Sequence, residues 1–247
     1  MLFKFVQKPI VLDCFITSEQ TVTIAPINHA YKSYPDWWNE LQLKPTQNGI
    51  EYSNMRSCMG MTDFFKNSIH IPMWCDLFID VMEDLEYRWM FSDSGKDGVI
   101  HPDYQYGNFL SKGKSGHLKL SSPWALKCKE DIRWVWTQPT YNFPQMFDVT
   151  VLPGNLSFKD TAATHVNLVI NTSRPKSTLI PVGQPLVSLT PMSGRKVIIN
   201  RHVVSQEEHD RVLVMMRTCS FNNIARKVLR MKEKNKGCPY KHYLDKK

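Results

Sequence analysis

Apolar and polar positions divide the chain into a β-patterned body and a helical end. The segment FKFVQ and the run IVLDCFI (10–16) are rich in β-branched and aromatic residues, and TVTIAPI (21–27) alternates with a period of two. Residues 1–30 therefore predict two β-strands. Pro35 and Asp36 mark the first turn of a helix over 34–42, with Trp37, Trp38 and Leu41 on one face. Thr62 is placed to cap a short helix that contains Phe64 and Phe65 and closes at Asn67. From Ile69 the pattern turns strand-like, with Pro72 confining it to an edge or a bulge, and residues 83–91 predict a further strand.

From Leu118 to Met192 short β-patterned stretches are punctuated by Pro, Gly, Asn and Ser, the signature of an antiparallel sandwich or barrel. KVIINRHVV (196–204) adds a last strand or an extended arm. At Ser205 the period changes: Ser205 and Glu208 form a capping-box pattern, and Val212, Met215, Met216 and Cys219 recur at helical spacing. Ile224, Val228 and Leu229 continue the stripe after a break at 220–223. The expected fold is mainly β. It comprises an antiparallel sandwich or jelly-roll-like body over 1–204, with short helices in its N-terminal half, and a helical segment with a basic tail over 205–247.

Composition fits that picture. The 247 residues are 42% hydrophobic and 22% charged, which excludes disordered, collagenous and coiled-coil proteins. No apolar run reaches the roughly 18 residues of a membrane span. The opening residues mix Lys4 and Lys8 with apolar positions and read as a strand, not a signal peptide, so a soluble intracellular protein without membrane partners is expected. The net charge of +8 is unevenly spread. Arg226, Lys227, Arg230, Lys232, Lys234, Lys236, Lys241, Lys246 and Lys247 face only two acids in the tail, leaving the body close to neutral. The tail is either a solvated helix end or a contact for nucleic acid or an acidic protein surface.

The six cysteines have no zinc spacing and predict free, buried or idle thiols; a nucleophilic Cys58 or Cys75 would need a nearby His. Asp80, Glu83 and Asp84 predict solvated carboxylates. Phosphate loops, nucleophile elbows and His-Glu-x-x-His are absent from the sequence. One constellation has metal chemistry in it. His101-Pro102-Asp103 places two ligands at a spacing that can reach one iron, His165 could be the third, and Arg174 could bind a cosubstrate carboxylate. This resembles the pattern of 2-oxoglutarate-dependent oxygenases, whose double-stranded β-helix would suit a β-rich centre. The same tripeptide also suits a turn in which Pro102 fixes φ and Asp103 bonds local backbone.

Residues 170–191 resemble in outline the β-hairpin region of the trimeric dUTPase and dCTP deaminase group. The likeness implies a turn at Pro181-Val182-Gly183 joining two half-buried strands, without nucleotide chemistry, because that group's catalytic Asp and phosphate-binding Ser motifs cannot be placed here. Three blocks carry a wider resemblance: MRSCMGMTDFFKNSIHIPMWCDLFI (55–79, with Ser68 where Gly is more usual), SSPWALKCKEDIRWVWTQPTYN (121–142) and LIPVGQPLVSLTPM (179–192). In order, they resemble a family of functionally uncharacterised proteins of tailed bacteriophages, including marine phages. The resemblance implies a viral origin, in the virion or the host cytoplasm, and no mechanism.

The matching Pro, Gly, Trp and Asn residues are turn and core chemistry. The first reading is therefore a non-enzymatic virion structural or accessory protein without a cofactor. It would bind other phage proteins or a host protein within an oligomeric assembly, and possible nucleic acid through the tail. Trp37, Trp38, Trp74, Trp89, Trp134 and Trp136 exceed what one small core needs, so some are expected at an interface, while Trp134 and Trp136, on one side of a strand, are expected in the core. The alternative is the iron enzyme using His101, Asp103, His165 and Arg174.

Overall fold

Short strands with one apolar face need a second sheet to cover them, and this chain supplies it. The computed structural model describes residues 7–93, 98–100, 106–107, 109–110, 114–159 and 161–217. Its strands are β1 (Ile10–Ile16), β2 (Asn28–His29), β3 (Thr46–Gln47), β4 (Ile50–Glu51), β5 (Ile69–Pro72), β6 (Leu77–Val81), β7 (Tyr87–Phe91) and β8 (Gly98–Ile100). They continue as β9 (Ser115–Lys127), β10 (Arg133–Thr137), β11 (Val149–Val151), β12 (Gly154–Ser157), β13 (Ala163–Asn171), β14 (Lys176–Ile180), β15 (Pro185–Pro191) and β16 (Val197–Val203). The helices are α1 (Glu19–Ile24), α2 (Asp36–Glu40), α3 (Met59–Asn67) and α4 (Gln206–Arg217).

The first sheet has the order β11-β13-β9-β1-β16, with β8 also on β9, and the second the order β12-β10-β15-β5-β2. Leu12, Cys14, Trp124, Leu168 and their neighbours on the first sheet share one buried cluster with Trp134, Trp136, Leu189 and Ile71 on the second. The fold is thus mainly β, as the pattern predicts. Ladders among the described strands are antiparallel except one: β1 and β16 run parallel, in register from Ile10↔Val197 to Ile16↔Val203. A small third sheet, β14-β6-β7, adds Leu77, Ile79 and Val81 to the same core.

Each outer face carries a further layer. Val212 of α4 packs with Phe15, Ala125, Ala162 and Val204 on the first sheet. Over the second sheet lies an aromatic cluster of Trp38, Met61 and Phe65, flanked by Tyr34, Trp37, Phe64 and Tyr141. Ser205 and Glu208 close both bonds of the capping box at the start of α4: Glu208 N–H donates to Ser205 Oγ, and Ser205 N–H to a Glu208 carboxylate oxygen, each at 3.2 Å. Beyond Leu213 the side chains of the predicted helical stripe lie outside the described residues, as does the basic tail.

Three local expectations are corrected. TVTIAPI is not a strand: Ser18 Oγ accepts from Thr21 N–H at 3.1 Å, and this N-cap with Glu19 in the first turn starts α1 despite the β-branched residues. Thr62 lies inside α3, its hydroxyl donating to Cys58 O at 3.1 Å, although Asn67 does end the helix. The turn at Pro181–Gly183 forms, with Gly183 at φ 82°. Its flanking strands then diverge, β14 pairing with β6 and β15 with β5 and β10, so it joins two sheets and does not close a hairpin.

Tyr87 crosses β9 only because position 116 lacks a side chain. A Cβ on Gly116 would stand 2.0 Å from the Tyr87 ring, whose hydroxyl donates to His117 O at 3.2 Å. Gly116→Ala is expected to lose about 1–3 kcal/mol of stability through this overlap. Gly194→Ala, where a Cβ meets nothing within 4 Å, is expected to change little. Urea titrations of both variants measure the contrast.

Candidate functional site

The residues singled out for iron chemistry are not gathered together where the structure describes them. His165 is exposed on β13, on the face opposite the core residues Thr164 and Val166, and pairs across the ladder with Ser121. Six residues of extended strand separate it from Asn171, about 20 Å. Arg174 sits in the turn beyond. Both flanks of that turn are tied to Asp148, through Asn171 N–H on its carbonyl and the Lys176–Asp148 ion pair, so Arg174 belongs to the far end of β13. His101 and Asp103 lie outside the described residues, as does the tail from Arg226 to Lys247. Among the described residues no three His, Cys, Asp or Glu side chains converge as a metal site would require.

Two polar clusters that no linear motif announces are assembled by strand register. In the first, His70 on β5 lies directly opposite Ser188 on β15, on the face of the second sheet beneath the aromatic layer. His70 is 2% exposed and Ser188 fully buried. Ser33 Oγ donates to Ala30 O at 3.2 Å and lies 2.8 Å from His70 Nδ1. His70 Nε2, Ser188 Oγ and Asn142 Oδ1 have no hydrogen-bond partner among the described residues. Burial pushes the His70 pKa down to about 4, so the ring is neutral at pH 7. With His70 and Ser188 shut away from solvent and three polar atoms unpartnered among the described residues, this cluster is a structural weak point.

The second cluster ties the two parallel strands. Asp13, 1% exposed, accepts from Asn200 Nδ2 at 3.1 Å and meets His202 Nε2 at 2.8 Å. The His202 ring stacks on Phe15 with centroids 4.8 Å apart. A buried carboxylate is tolerable only when it is paired in this way.

The thiols offer little chemistry. Cys14, Cys75 and Cys128 are buried, Cys58 is exposed, and none of these four is in a disulfide. Burial raises the Cys14 and Cys128 thiol pKa values, which suppresses the reactive thiolate. Asp80, Glu83 and Asp84 are solvent-exposed, as expected.

The tryptophans are buried or half-buried. Trp38, Trp74, Trp124, Trp134 and Trp136 are buried, and Trp37 and Trp89 are half-buried against the clusters they flank. The expectation that some would be exposed is corrected: two hydrophobic clusters, not one small core, absorb them. Exposed apolar surface appears instead on the third sheet. Phe78 of β6 stands opposite Met90 of β7 on one side and Leu179 of β14 on the other, and all three face solvent, at 37%, 64% and 43% exposure. The next row carries Ser177, Asp80 and Arg88. Gln145 Nε2 donates to Leu179 O at 2.7 Å, which fixes the bordering loop that holds Phe147, 77% exposed.

Comparison with known proteins adds no assignment: no family model, no curated protein and no solved structure matches this chain.

His70 makes stability depend on pH. Its pKa in the folded state lies below the ordinary histidine value of 6.5, so the unfolded chain binds the proton first as pH falls. The stabilisation is complete above pH 6.5 and is lost between there and about pH 4. A shift of this size corresponds to about 3 kcal/mol. His70→Phe is expected to flatten that acid limb relative to the parent chain, as read from urea midpoints between pH 4 and 7.5.

Proposed function

We propose that this chain is a non-enzymatic bacteriophage protein acting through protein–protein contacts, as a structural or accessory component of the virion within an oligomeric assembly. One observation carries the reading: the row Leu179–Phe78–Met90 crosses all three strands of the third sheet and is left in solvent. Apolar side chains scattered singly on a surface carry no message, but aligned neighbours with a charged row beside them have the make-up of a protein interface. Asp80 and Arg88 in that second row suit a partner with an apolar centre and a charged rim. The resemblance of three sequence blocks to phage proteins supports a viral setting, in the virion or the host cytoplasm.

The pair of substitutions Phe78→Thr and Met90→Lys leaves the inward face of the third sheet intact and is expected to change folding stability by less than about 1 kcal/mol. Particles purified from infected cells are expected to contain the parent chain by mass spectrometry and to lose most of the doubly substituted one. Particles lacking the parent chain, or incorporating the folded variant normally, would overturn the proposal.

A further inference from the structure

Sheet order brings two edge strands to the same side of the sandwich. β16 is the edge of the first sheet and β2 the edge of the second. Arg201 of β16 bridges them, donating from Nε and Nη2 to Ile27 O at 2.9 and 2.7 Å. Along this seam a cleft of about 480 Å³ opens between the start of β16, the end of α3 and the residues after β2. A pocket of that size holds a small ligand. His29, Tyr31, Lys66, Asn67, Arg195 and Lys196 line it, and among the described residues no carboxylate does.

The cations of the cleft differ in availability. Arg195 is committed to a two-point contact with Glu130 and to Lys8 O. Lys66 and Lys196 are exposed and have no ion-pair partner among the described residues. Beside them His29 and Tyr31 stack nearly parallel, with centroids 5.2 Å apart at 14°, and Tyr31 is 42% exposed. Burial, and then the positive charges of Lys32 and Arg201, depress the His29 pKa, which favours the neutral imidazole. A recess lined by one sign of charge concentrates field on whatever enters it.

We propose that this cleft binds a nucleoside phosphate, with the phosphate held by Lys66 and Lys196 and the base against the His29–Tyr31 pair. A flat ring flanked by free ammonium groups meets both halves of that ligand, since any base offers a π face and any phosphate a charge. The ligand is either a free nucleotide or one unit of a single strand. The site is separate from the apolar row of the third sheet and does not depend on what that row binds.

The test uses the full-length chain with fluorescent ATP and a fluorescein-labelled oligothymidylate in anisotropy titrations. Saturation by ATP marks a free nucleotide, and saturation by the oligomer alone marks a strand. Lys66→Glu with Lys196→Glu is expected to weaken binding at least tenfold and to lower the salt dependence of the oligomer by about one unit of slope per lysine. Tyr31→Ala is expected to weaken it by about five- to a hundredfold. Gly194→Trp, built where a Cβ has open space, is expected to obstruct the cleft independently of charge. Phe78→Thr with Met90→Lys is expected to leave binding unchanged. The proposal is overturned if neither probe binds, or if binding survives the lysine reversals, as attachment through the basic tail would. It is also overturned if polyglutamate or inorganic pyrophosphate binds as tightly as the nucleotide probes.

Discussion

The parallel ladder between β1 and β16 is the constraint on which the rest of the structure depends. β1 is covered on both faces, by the sandwich core through Ile10, Leu12, Cys14 and Ile16 and by the outer layer at Phe15. A strand in that position leaves no water for the Asp13 carboxylate, so Asn200 and His202 of β16 must supply the hydrogen bonds. The pairing joins the first described strand to the last and fixes where α4 begins, one turn after β16, so that Val212 lands on Phe15. It also leaves β16 as an edge, and hence sets the seam that Arg201 bridges to β2.

The second sheet meets a different demand. Its inner face is apolar, but alternation puts His70, Ser188, Thr190 and Ser68 on the outer one. An aromatic layer covers that polar face, and some groups find partners there: Ser68 and Thr190 hydroxyls lie 2.8 Å apart, and Asn142 Nδ2 donates to Ser33 O at 2.7 Å. Nε2 of His70, Oγ of Ser188 and Oδ1 of Asn142 stay unpaired among the described residues, each costing about 1–3 kcal/mol. Stacked and edge-on contacts among Tyr34, Trp38, Phe64 and Phe65 offset that cost. The layer is therefore held by its own aromatic packing more than by the face it covers.

Much of this architecture is legible in the residues themselves. Period-two alternation identifies β6, β10 and β13, and Pro35, Ser205 and Glu208 mark helix starts, because these signals act within a few residues. TVTIAPI misleads because alternation of Val, Thr and Ile outweighs, on paper, the single cap at Ser18 that nucleates α1. The Pro-Gly turn is plain in the sequence, but whether its two strands pair with each other depends on partners more than ninety residues away. The candidate surfaces are non-local in the same sense. Phe78, Met90 and Leu179 become one row only through the registers of two ladders, and Asp13 meets His202 across 189 positions.

Charge shows most sharply why a linear reading falls short. Counted along the chain, the body is close to neutral, since seven of its eight excess positive charges fall in the tail. Folding undoes that average. Lys66 closes α3, Lys196 precedes β16, and both arrive at the seam where Arg195 and Arg201 are already held by backbone carbonyls. Lysine beside an exposed edge strand also discourages other strands from pairing there. That role requires charge along the strand and nothing else. It does not require a recess with no carboxylate among its described lining residues, nor two stacked rings at its wall, and those features turn a guarded edge into a surface with a shape.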